Sequence, residues 1–407
     1  MHRERIVLGL GGTVDHEVIW DLAKVQWLAD HMGITMDEIE DDPSSVAADA
    51  RSAFIYLLQM MYRNRGGECH VHSIDSLKQL ASHFDSRTTL GGTCVRAAIA
   101  MNRIGIGSTV HLVSINDDVR RLLPTGIIRI CSADHDSLEP HIIFQFPADN
   151  NVRVIGGVVR TSRPNRVIFV HDLPNELMRL SPDLGPALAR ADAVMISGFN
   201  TMKSPDLLQE RLDCLREMLE NTNDETPIVY EDAGFHDEAM RDIVVDKICN
   251  LVDIHSLNED EATAYVQRSF DPQDGAEIAC VMEELRTRLM ASNVLLHTSH
   301  YAAVLGERAE RFAKAAATGC LMASTRYAHG DTMTREDFEK MRTAPRDTIG
   351  MRLIDDPDIV RSGIHIVPSY NAHVLSPTTI GLGDSFIGGL MAALGASEEV
   401  QAAPGVE

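Results

Sequence analysis

Positive charge is scarce in this sequence. Its 407 residues include 37 Lys and Arg against 60 Asp and Glu, which gives a formal net charge of −23. Nucleic acids are held mainly by Lys and Arg, which displace counterions from the phosphate backbone. The charge balance therefore argues against a general nucleic-acid-binding protein, and an anionic substrate would need a local basic pocket.

Long apolar runs and a cysteine framework are also missing. No window approaches the roughly 20 apolar residues of a membrane span, and the N-terminal residues lack the apolar stretch and cleavage site of a signal peptide. The seven cysteines include no CxxC pair, which favours a reducing compartment over a disulfide scaffold or a zinc site. The sequence therefore predicts a soluble, cytoplasmic protein.

Two common nucleotide-binding signatures are absent as well. There is no Gly-Lys-Ser/Thr P-loop, and the glycine-rich segment 9–12 lacks the spacing and acidic partner of a dinucleotide-binding fingerprint. The histidines at 70, 72, 297 and 300 have no further cluster beside them that would complete a metal site. These cofactor classes are not supported.

What the sequence does contain is an alternation of strand-like and helix-like segments from residue 193 onward. The composition, 44% hydrophobic and 24% charged, is that of a globular protein. Alternation of this kind predicts a mostly parallel sheet covered by helices. The predicted strands are 193–198, 227–230, 251–255 and 294–297, and the predicted helices are 206–220, 277–290 and one from 384.

The region before residue 175 is richer in short β-like runs. After predicted helices at 20–32 and 46–62 come runs at 68–74, 127–131, 141–146, 152–159 and 166–171. We therefore predict two interleaved domains, a division that the chain length allows. The larger α/β domain would comprise 1–15, 88–125 and 175–407, and the smaller β-rich domain 16–87 and 126–174.

The strongest local signal is the segment 376–389, Ser-Pro-Thr-Thr-Ile-Gly-Leu-Gly-Asp-Ser-Phe-Ile-Gly-Gly. Gly381 and Gly383 let the backbone approach a ligand closely, and the apolar run that follows predicts a helix whose first N–H groups would face a phosphate. Asp384 at such a terminus could accept a proton from an incoming hydroxyl. The alternative is that Asp384 only caps the helix.

Several segments together resemble one family. The run 381–384 is similar to the signature of the ribokinase-like superfamily, and 367–369 with 379–380 looks like the ADP-dependent glucokinase and phosphofructokinase family within it. Other resemblances follow in order along the chain: Gly91-Gly92-Thr93 to the family's sugar-binding turn, 163–166 to its Arg-x-Asn-Arg segment, 196–199 to its Ile-Ser-Gly strand end, 231–233 to its Glu-x-Ala, and 258–261 to its Asn-x-x-Glu.

This resemblance implies a ribokinase-like core with a lid inserted in two pieces, closing over a sugar and ADP with Mg²⁺ between the phosphates. It implies the following site residues: Asp384 as base with Gly381, Leu382 and Gly383 as anion hole; Asp15, Gly91, Gly92, Asn165 and Arg166 at the sugar; Val367, Pro368, Thr379 and Asn258 at the nucleotide; Glu231 and Glu261 at the metal. The implied partners are small molecules, with the chain as a monomer or homodimer. Asn258 and Glu261 could equally form an acidic helix start.

The sequence departs from the family at two positions. Val229 stands where the family's His-x-Glu metal motif has His, and Arg87 stands where its glucokinases have a sugar-binding Glu. Since Arg can bind a phosphate with two hydrogen bonds, Arg87 favours a phosphorylated or otherwise acidic sugar.

Two alternatives to an ADP-dependent sugar kinase stay open at this point. One is an ATP-dependent ribokinase-type kinase of a nucleoside or pentose. The other, motivated by Val229 and Arg87, is a catalytically weak protein that binds sugar and nucleotide.

Overall fold

The structure, a computed structural model, describes residues 5–395 apart from 138, 236, 373, 375–377 and 379. The strands are β1 Ile6–Leu8, β2 Thr13–Val18, β3 Val46–Ala47, β4 Gly67–Val71, β5 Ser86–Gly91, β6 Ser108–Leu112, β7 Ile127–Cys131, β8 His141–Phe146, β9 Asn151–Val154, β10 Gly157–Arg160, β11 Asn165–Val170, β12 Ala193–Ile196, β13 Ile228–Glu231, β14 Ile254–Asn258, β15 Asn293–His297, β16 Tyr301–Gly306 and β17 His365–Pro368.

Helices fill most of the remaining chain. They are α1 Leu22–Met32, α2 Met36–Glu40, α3 Ala50–Tyr62, α4 Ile74–Ala81, α5 Thr93–Arg103, α6 Asp117–Leu122, α7 Leu173–Leu177, α8 Leu184–Leu188, α9 Pro205–Leu219, α10 Glu238–Ile248, α11 Glu259–Val266, α12 Gly275–Arg288, α13 Ala309–His329, α14 Arg335–Met341, α15 Thr348–Ile354, α16 Pro357–Ser362 and α17 Leu382–Gly395, with 3₁₀ turns at Phe199–Thr201 and Gly330–Thr332.

A nine-stranded sheet forms the larger layer, in the order β17-β16-β15-β14-β13-β12-β1-β6-β7. The pairs from β7 across to β15 are all parallel, and β16 runs antiparallel to both of its neighbours. Strands such as β12 and β15 are buried along their whole length, as expected where helices cover both faces of a parallel sheet. The predicted α/β class, a mostly parallel sheet flanked by helices, is confirmed.

Successive residues of β1 show how the two faces are covered. Ile6 and Leu8 belong to the core built with α5, α13 and α17, whereas Val7 between them belongs to the core built with α8, α9 and α10. Because side chains alternate across a strand, β1 lies between two helical layers.

A six-stranded sheet, in the order β3-β4-β11-β8-β2-β5, forms the smaller layer. Its own core includes the edge-to-face rings of Phe84 and Phe144, whose centroids are 5.0 Å apart, and those of Phe144 and Phe169, at 5.9 Å. The chain enters this sheet twice, through β2–β5 and through β8 and β11. This two-piece construction matches the predicted inserted sheet.

Several element boundaries differ from the sequence prediction. The segment predicted as one helix from Val46 begins as β3, and α3 starts only at Ala50 because Asp49 caps it. The predicted strand 152–159 is a hairpin that turns at Gly156, whose φ is 85°. The third predicted strand of the α/β half lies three residues later, at Ile254–Asn258.

Three further differences concern elements around the site. Asp15, assigned by sequence to the larger domain, lies inside β2 of the smaller sheet. The strand 127–131, assigned by sequence to the smaller domain, pairs with β6 in the nine-stranded sheet. The sequence analysis assigned no element to 309–329, which forms the long helix α13.

Candidate active site

The N-terminus of α17 carries the predicted base. Asp384 lies in the first turn of a helix that begins at Leu382, so it is inside the helix rather than at the capping position. Gly381 before it has φ of 67°, a left-handed conformation that favours glycine. The first N–H groups of a helix lack intrahelical partners and attract negative charge. The predicted anion hole of Gly381, Leu382 and Gly383 thus lies at a helix N-terminus.

Two guanidinium groups flank this turn, and the sequence analysis identified neither. A Cβ added at Gly381 would lie 3.2 Å from Arg326 Nε and 3.3 Å from Arg96 Nη1. Arg326 Nε donates to the Ile380 carbonyl at 2.8 Å, which fixes α13 against the turn. Two guanidinium groups therefore lie beside the first turn of α17, where they could stabilise the charge of a transferring phosphoryl group.

Arg96 links the predicted sugar-binding and base residues. Its Nη2 donates to Asp15 Oδ2 at 2.8 Å, and its Nε lies 3.9 Å from Asp384 Oδ2. It also stands 4.0 Å from Glu17 Oε1, and its side chain is only 12% exposed. The buried Arg96 guanidinium therefore contacts three carboxylates, those of Asp15, Glu17 and Asp384.

The Gly91-Gly92 turn places Arg96. Gly92 has φ of 86° and precedes α5, so Arg96 falls in the first turn of that helix. A Cβ at Gly91 would overlap the Asp15 carboxylate, and one at Gly92 would lie 2.9 Å from Gly12 Cα. The absence of side chains at Gly91 and Gly92 lets β5 pack closely against β2 beside Asp15, a residue predicted to bind the sugar. Their contact with a sugar stays a prediction.

Arg87 has two carboxylate partners, although its side chain is 58% exposed. Its Nη2 lies 2.7 Å from Glu17 Oε2, across the β2–β5 pair, and 3.2 Å from Asp331 Oδ2. Asp331 also accepts from Arg326 Nη2 at 2.9 Å. Glu17 is buried and accepts a second hydrogen bond from Thr89 at 2.8 Å. That Arg87 binds an acidic sugar stays a prediction.

Asn165 and Arg166 lie away from this cluster. They begin β11 and pair with Phe146 and Gln145 at the end of β8, whereas His141 at the start of β8 pairs with Asp15 of β2. At about 3.3 Å per residue, the five residues of β8 that separate these ends span about 16 Å. The structure does not bring these two predicted sugar-binding residues to Asp15, because β11 carries them to the opposite end of the sheet.

The predicted metal-binding carboxylates lie at neighbouring strand ends. Burial and the charges of Glu231 and Asp232 raise the pKa of Glu261 to about 8. Burial also raises the pKa of Glu231, against the opposing effect of His297, whose Nε2 lies 3.1 Å from Glu231 Oε1. His297 of β15 thus places an imidazole beside Glu231, two strands away from Val229 of β13.

Asn258 and Glu261 also form a helix cap. Asn258 Oδ1 accepts from the Glu261 N–H at 3.0 Å, and Glu261 Oε2 accepts from the Asn258 N–H at 2.8 Å. This reciprocal pair is a capping box. The helix-start interpretation is therefore realised, and it leaves one Glu261 oxygen outside the cap.

Val367 and Pro368, two of the residues predicted to bind the nucleotide, lie in the edge strand β17. Val367 pairs with Ala302 and Pro368 with Tyr301 where β17 borders the nine-stranded sheet. Arg346 Nη1 donates to the Pro368 carbonyl at 2.9 Å. Thr379 lies outside the described residues.

A helix N-terminus flanked by Arg96 and Arg326, with the Asp384 carboxylate in its first turn, is an arrangement suited to phosphoryl transfer. Comparison with known families agrees. The model of the ADP-specific phosphofructokinase/glucokinase conserved region matches residues 4–353. The chain belongs to this family, whose members are phosphotransferases that act on a sugar hydroxyl. The segment 381–384 lies beyond the matched region.

One curated relative is similar to part of this chain. The probable ADP-dependent glucokinase of Caenorhabditis elegans is 26% identical over 249 residues, which cover 58% of this chain and 48% of that protein. The match thus spans about half the length of that relative.

No helix in the described part of the chain is long and apolar enough to cross a membrane.

Two solved structures share the fold. A phosphofructokinase from Pyrococcus horikoshii with AMP has a TM-score of 0.77 at 16% identity, covering 96% of this chain and 97% of that one. An ADP-dependent kinase in complex with fructose-6-phosphate and ADPβS has a TM-score of 0.74 at 14% identity, covering 98% and 95%. At these identities the likeness shows the fold alone.

Proposed function

We propose that this chain transfers the terminal phosphoryl group of ADP to a hydroxyl of a hexose or hexose phosphate in the presence of Mg²⁺. The observation that carries the proposal is the N-terminus of α17, where Asp384 lies 3.9 Å from Arg96 and where Arg96 and Arg326 flank Gly381. Family membership supports ADP as donor.

In this proposal Asp384 accepts the proton of the acceptor hydroxyl, and the oxygen of that hydroxyl bonds to the terminal phosphorus of ADP. The bond from that phosphorus to the bridging oxygen breaks, and AMP leaves with the bridging oxygen. The N–H groups at the start of α17 and the two guanidiniums stabilise the charge on the phosphoryl oxygens. Most of the catalysis would come from positioning and electrostatics.

The residues around Glu231 fit a magnesium ion that keeps its water shell. Glu231 Oε2 is buried without a hydrogen bond of ordinary geometry to the described residues, although the Ser256 hydroxyl also favours its charged form. Mg²⁺ usually keeps several waters and takes one or two protein carboxylates together with substrate phosphates. Glu231 and Glu261 would hold that shell, and the ion would neutralise phosphate charge.

The test is phosphoryl transfer by the purified protein with Mg²⁺, offering ADP or ATP with hexoses, hexose phosphates, pentoses and nucleosides. Phosphorus NMR would identify the products. We expect AMP and a sugar phosphate from ADP. Transfer only from ATP to a nucleoside or pentose would support the ribokinase-type alternative, and binding of both substrates without transfer would support a binding protein.

A further inference from the structure

A cavity of about 270 Å³ lies between the smaller sheet and the larger domain, next to the sugar-binding position. Glu68 and His70 of β4 and His141 of β8 line one side, and Glu176 of α7 and Lys203 line the other. The volume is near the lower end of the range of about 300–1,000 Å³ for small-molecule sites. The cavity therefore has room for one small ligand rather than a large one.

His141 joins this cavity to the candidate active site. Its Nδ1 lies 3.9 Å from Asp15 Oδ1, on the carboxylate that Arg96 holds near Asp384. The Asp15 and His141 residues also pair directly across β2 and β8. Asp15 is therefore linked through Arg96 to Asp384 on one side and through His141 to this cavity on the other.

Carboxylates dominate the charge of the cavity wall. Among its described lining residues Glu68, Asp172, Glu176 and Asp237 outnumber the single lysine and two histidines, whatever the protonation of the histidines. Burial and the nearby Lys203 ammonium lower the pKa of His70, which favours its neutral form near pH 7. The wall is thus net negative.

The basic groups of the wall already have carboxylate partners. Lys203 Nζ lies 2.7 Å from Glu176 Oε1, and His70 Nε2 lies 3.5 Å from the same oxygen. His141 Nε2 lies 3.0 Å from Asp172 Oδ2. A phosphate that entered would have to compete with these carboxylates for the cations, an arrangement that disfavours binding.

Apolar side chains supply much of the remaining wall. Val46, Val170, Met202, Phe235 and Met240 all contribute to it. Small-molecule sites commonly combine such a surface with a few polar groups that fix orientation. The apolar surface suits the C–H face of a sugar ring, and the carboxylates can accept hydrogen bonds from hydroxyl or ammonium groups.

We propose that this cavity receives the end of the acceptor remote from the reacting hydroxyl and accepts an unphosphorylated sugar, neutral or amino-substituted, in preference to a sugar phosphate. The inference rests on the proposed function and narrows its acceptor. It differs from the expectation based on Arg87, a side chain that contacts Glu17 and Asp331.

The first experiment compares kcat/KM, with saturating ADP and Mg²⁺, for glucose, glucosamine and fructose against glucose 6-phosphate and fructose 6-phosphate. We expect the unphosphorylated set to be favoured by about tenfold or more. A preference for either sugar phosphate would overturn the inference while leaving the kinase function intact.

If no acceptor yields AMP, the proposed function fails and the cavity is tested by binding alone. Ligand-observed NMR titrations of the same five sugars would then be run without nucleotide. Tighter binding of the unphosphorylated sugars would support the inference, and tighter binding of a sugar phosphate, or no binding of any sugar, would overturn it.

The second experiment changes the charge of the wall. Glu176→Gln removes the partner of Lys203, so the ratio of kcat/KM for glucose to that for fructose 6-phosphate should fall by about tenfold. Glu310→Gln is the matched control, because this exposed carboxylate pairs only with Lys314 among the described residues, and it should leave the ratio unchanged. Glu68→Gln should shift the ratio in the same direction, and it serves as the test if Glu176→Gln does not fold. An unchanged ratio in the folded variants would contradict the inference.

Discussion

Replacing Arg96 by Met should damage both stability and turnover, for separable reasons. The guanidinium is almost buried and donates to Asp15 at 2.8 Å, beside Glu17 and Asp384. Removing one partner of a buried ion pair costs about 3–5 kcal/mol, because the other charge is left uncompensated. Urea unfolding of Arg96→Met should show a loss of this size in the free energy of unfolding.

The same substitution should slow the reaction by loss of charge next to the phosphoryl group. Loss of one well-placed electrostatic contact to a transition state lowers kcat by about 10²–10³. The double variant with Asp15→Asn separates the two effects. It removes both charges of the pair, so much of the lost stability should return while turnover stays low.

Two results would refute this reasoning. Arg96→Met with kcat near that of the wild type would show that the guanidinium does not act on the transferring group. A double variant no more stable than Arg96→Met would show that the uncompensated Asp15 charge is not what destabilises the single variant.

Three further changes give measurable outcomes. Gly381→Ala should cost about 1–2 kcal/mol in urea unfolding because of its positive φ, and should also lower kcat since its Cβ crowds Arg326; no change in either would contradict this geometry. Although burial lowers it, the Asp172 hydrogen bond and neighbouring charges raise the pKa of His141. Its stabilising contribution is therefore complete below its unfolded value of about 6.5 and is lost as pH rises through the folded value. His141→Gln should flatten the fall in stability above pH 6.5, and an unaltered profile would count against the ion pair. Glu231→Gln should raise the Mg²⁺ concentration for half-maximal rate by about 10–100-fold, whereas the exposed Glu336→Gln should not; equal responses would exclude Glu231 from the metal's water shell.

The sheet and the α17 terminus could be predicted because their signals are local. The buried strands of the parallel sheet read as continuous apolar runs, as in Ala193–Ile196. The segment 381–384 carries its glycines, its carboxylate and the following apolar helix within one window. Such features need no knowledge of distant contacts.

The charged surroundings of that terminus could not be predicted in the same way. Arg96 meets Asp15 across 81 residues, and Arg326 meets Ile380 across 54. Arg96 carries one local signal, since it stands four residues after Gly92 in the first turn of a helix. Arg326 carries no local sequence signal, because α13 is buried on several sides and lacks the single apolar stripe by which a surface helix is identified.

Pairings between strands account for the other differences. His297 reaches Glu231 only because β15 lies two strands from β13 in the sheet. The contact of Arg87 with Glu17 depends on the register that sets these residues opposite each other. A motif comparison shows Val229 and Arg87 as departures from the family, but it cannot show which side chains the fold brings beside these positions.

The most direct test of the central claim is the turnover of Asp384→Asn measured beside its affinity for ADP. The substitution keeps the size of the side chain but removes the proton acceptor, so kcat should fall by about 10²–10⁴, while calorimetry should give an ADP dissociation constant within a few-fold of the wild type. Turnover at the wild-type rate would contradict the assignment of Asp384 as the base.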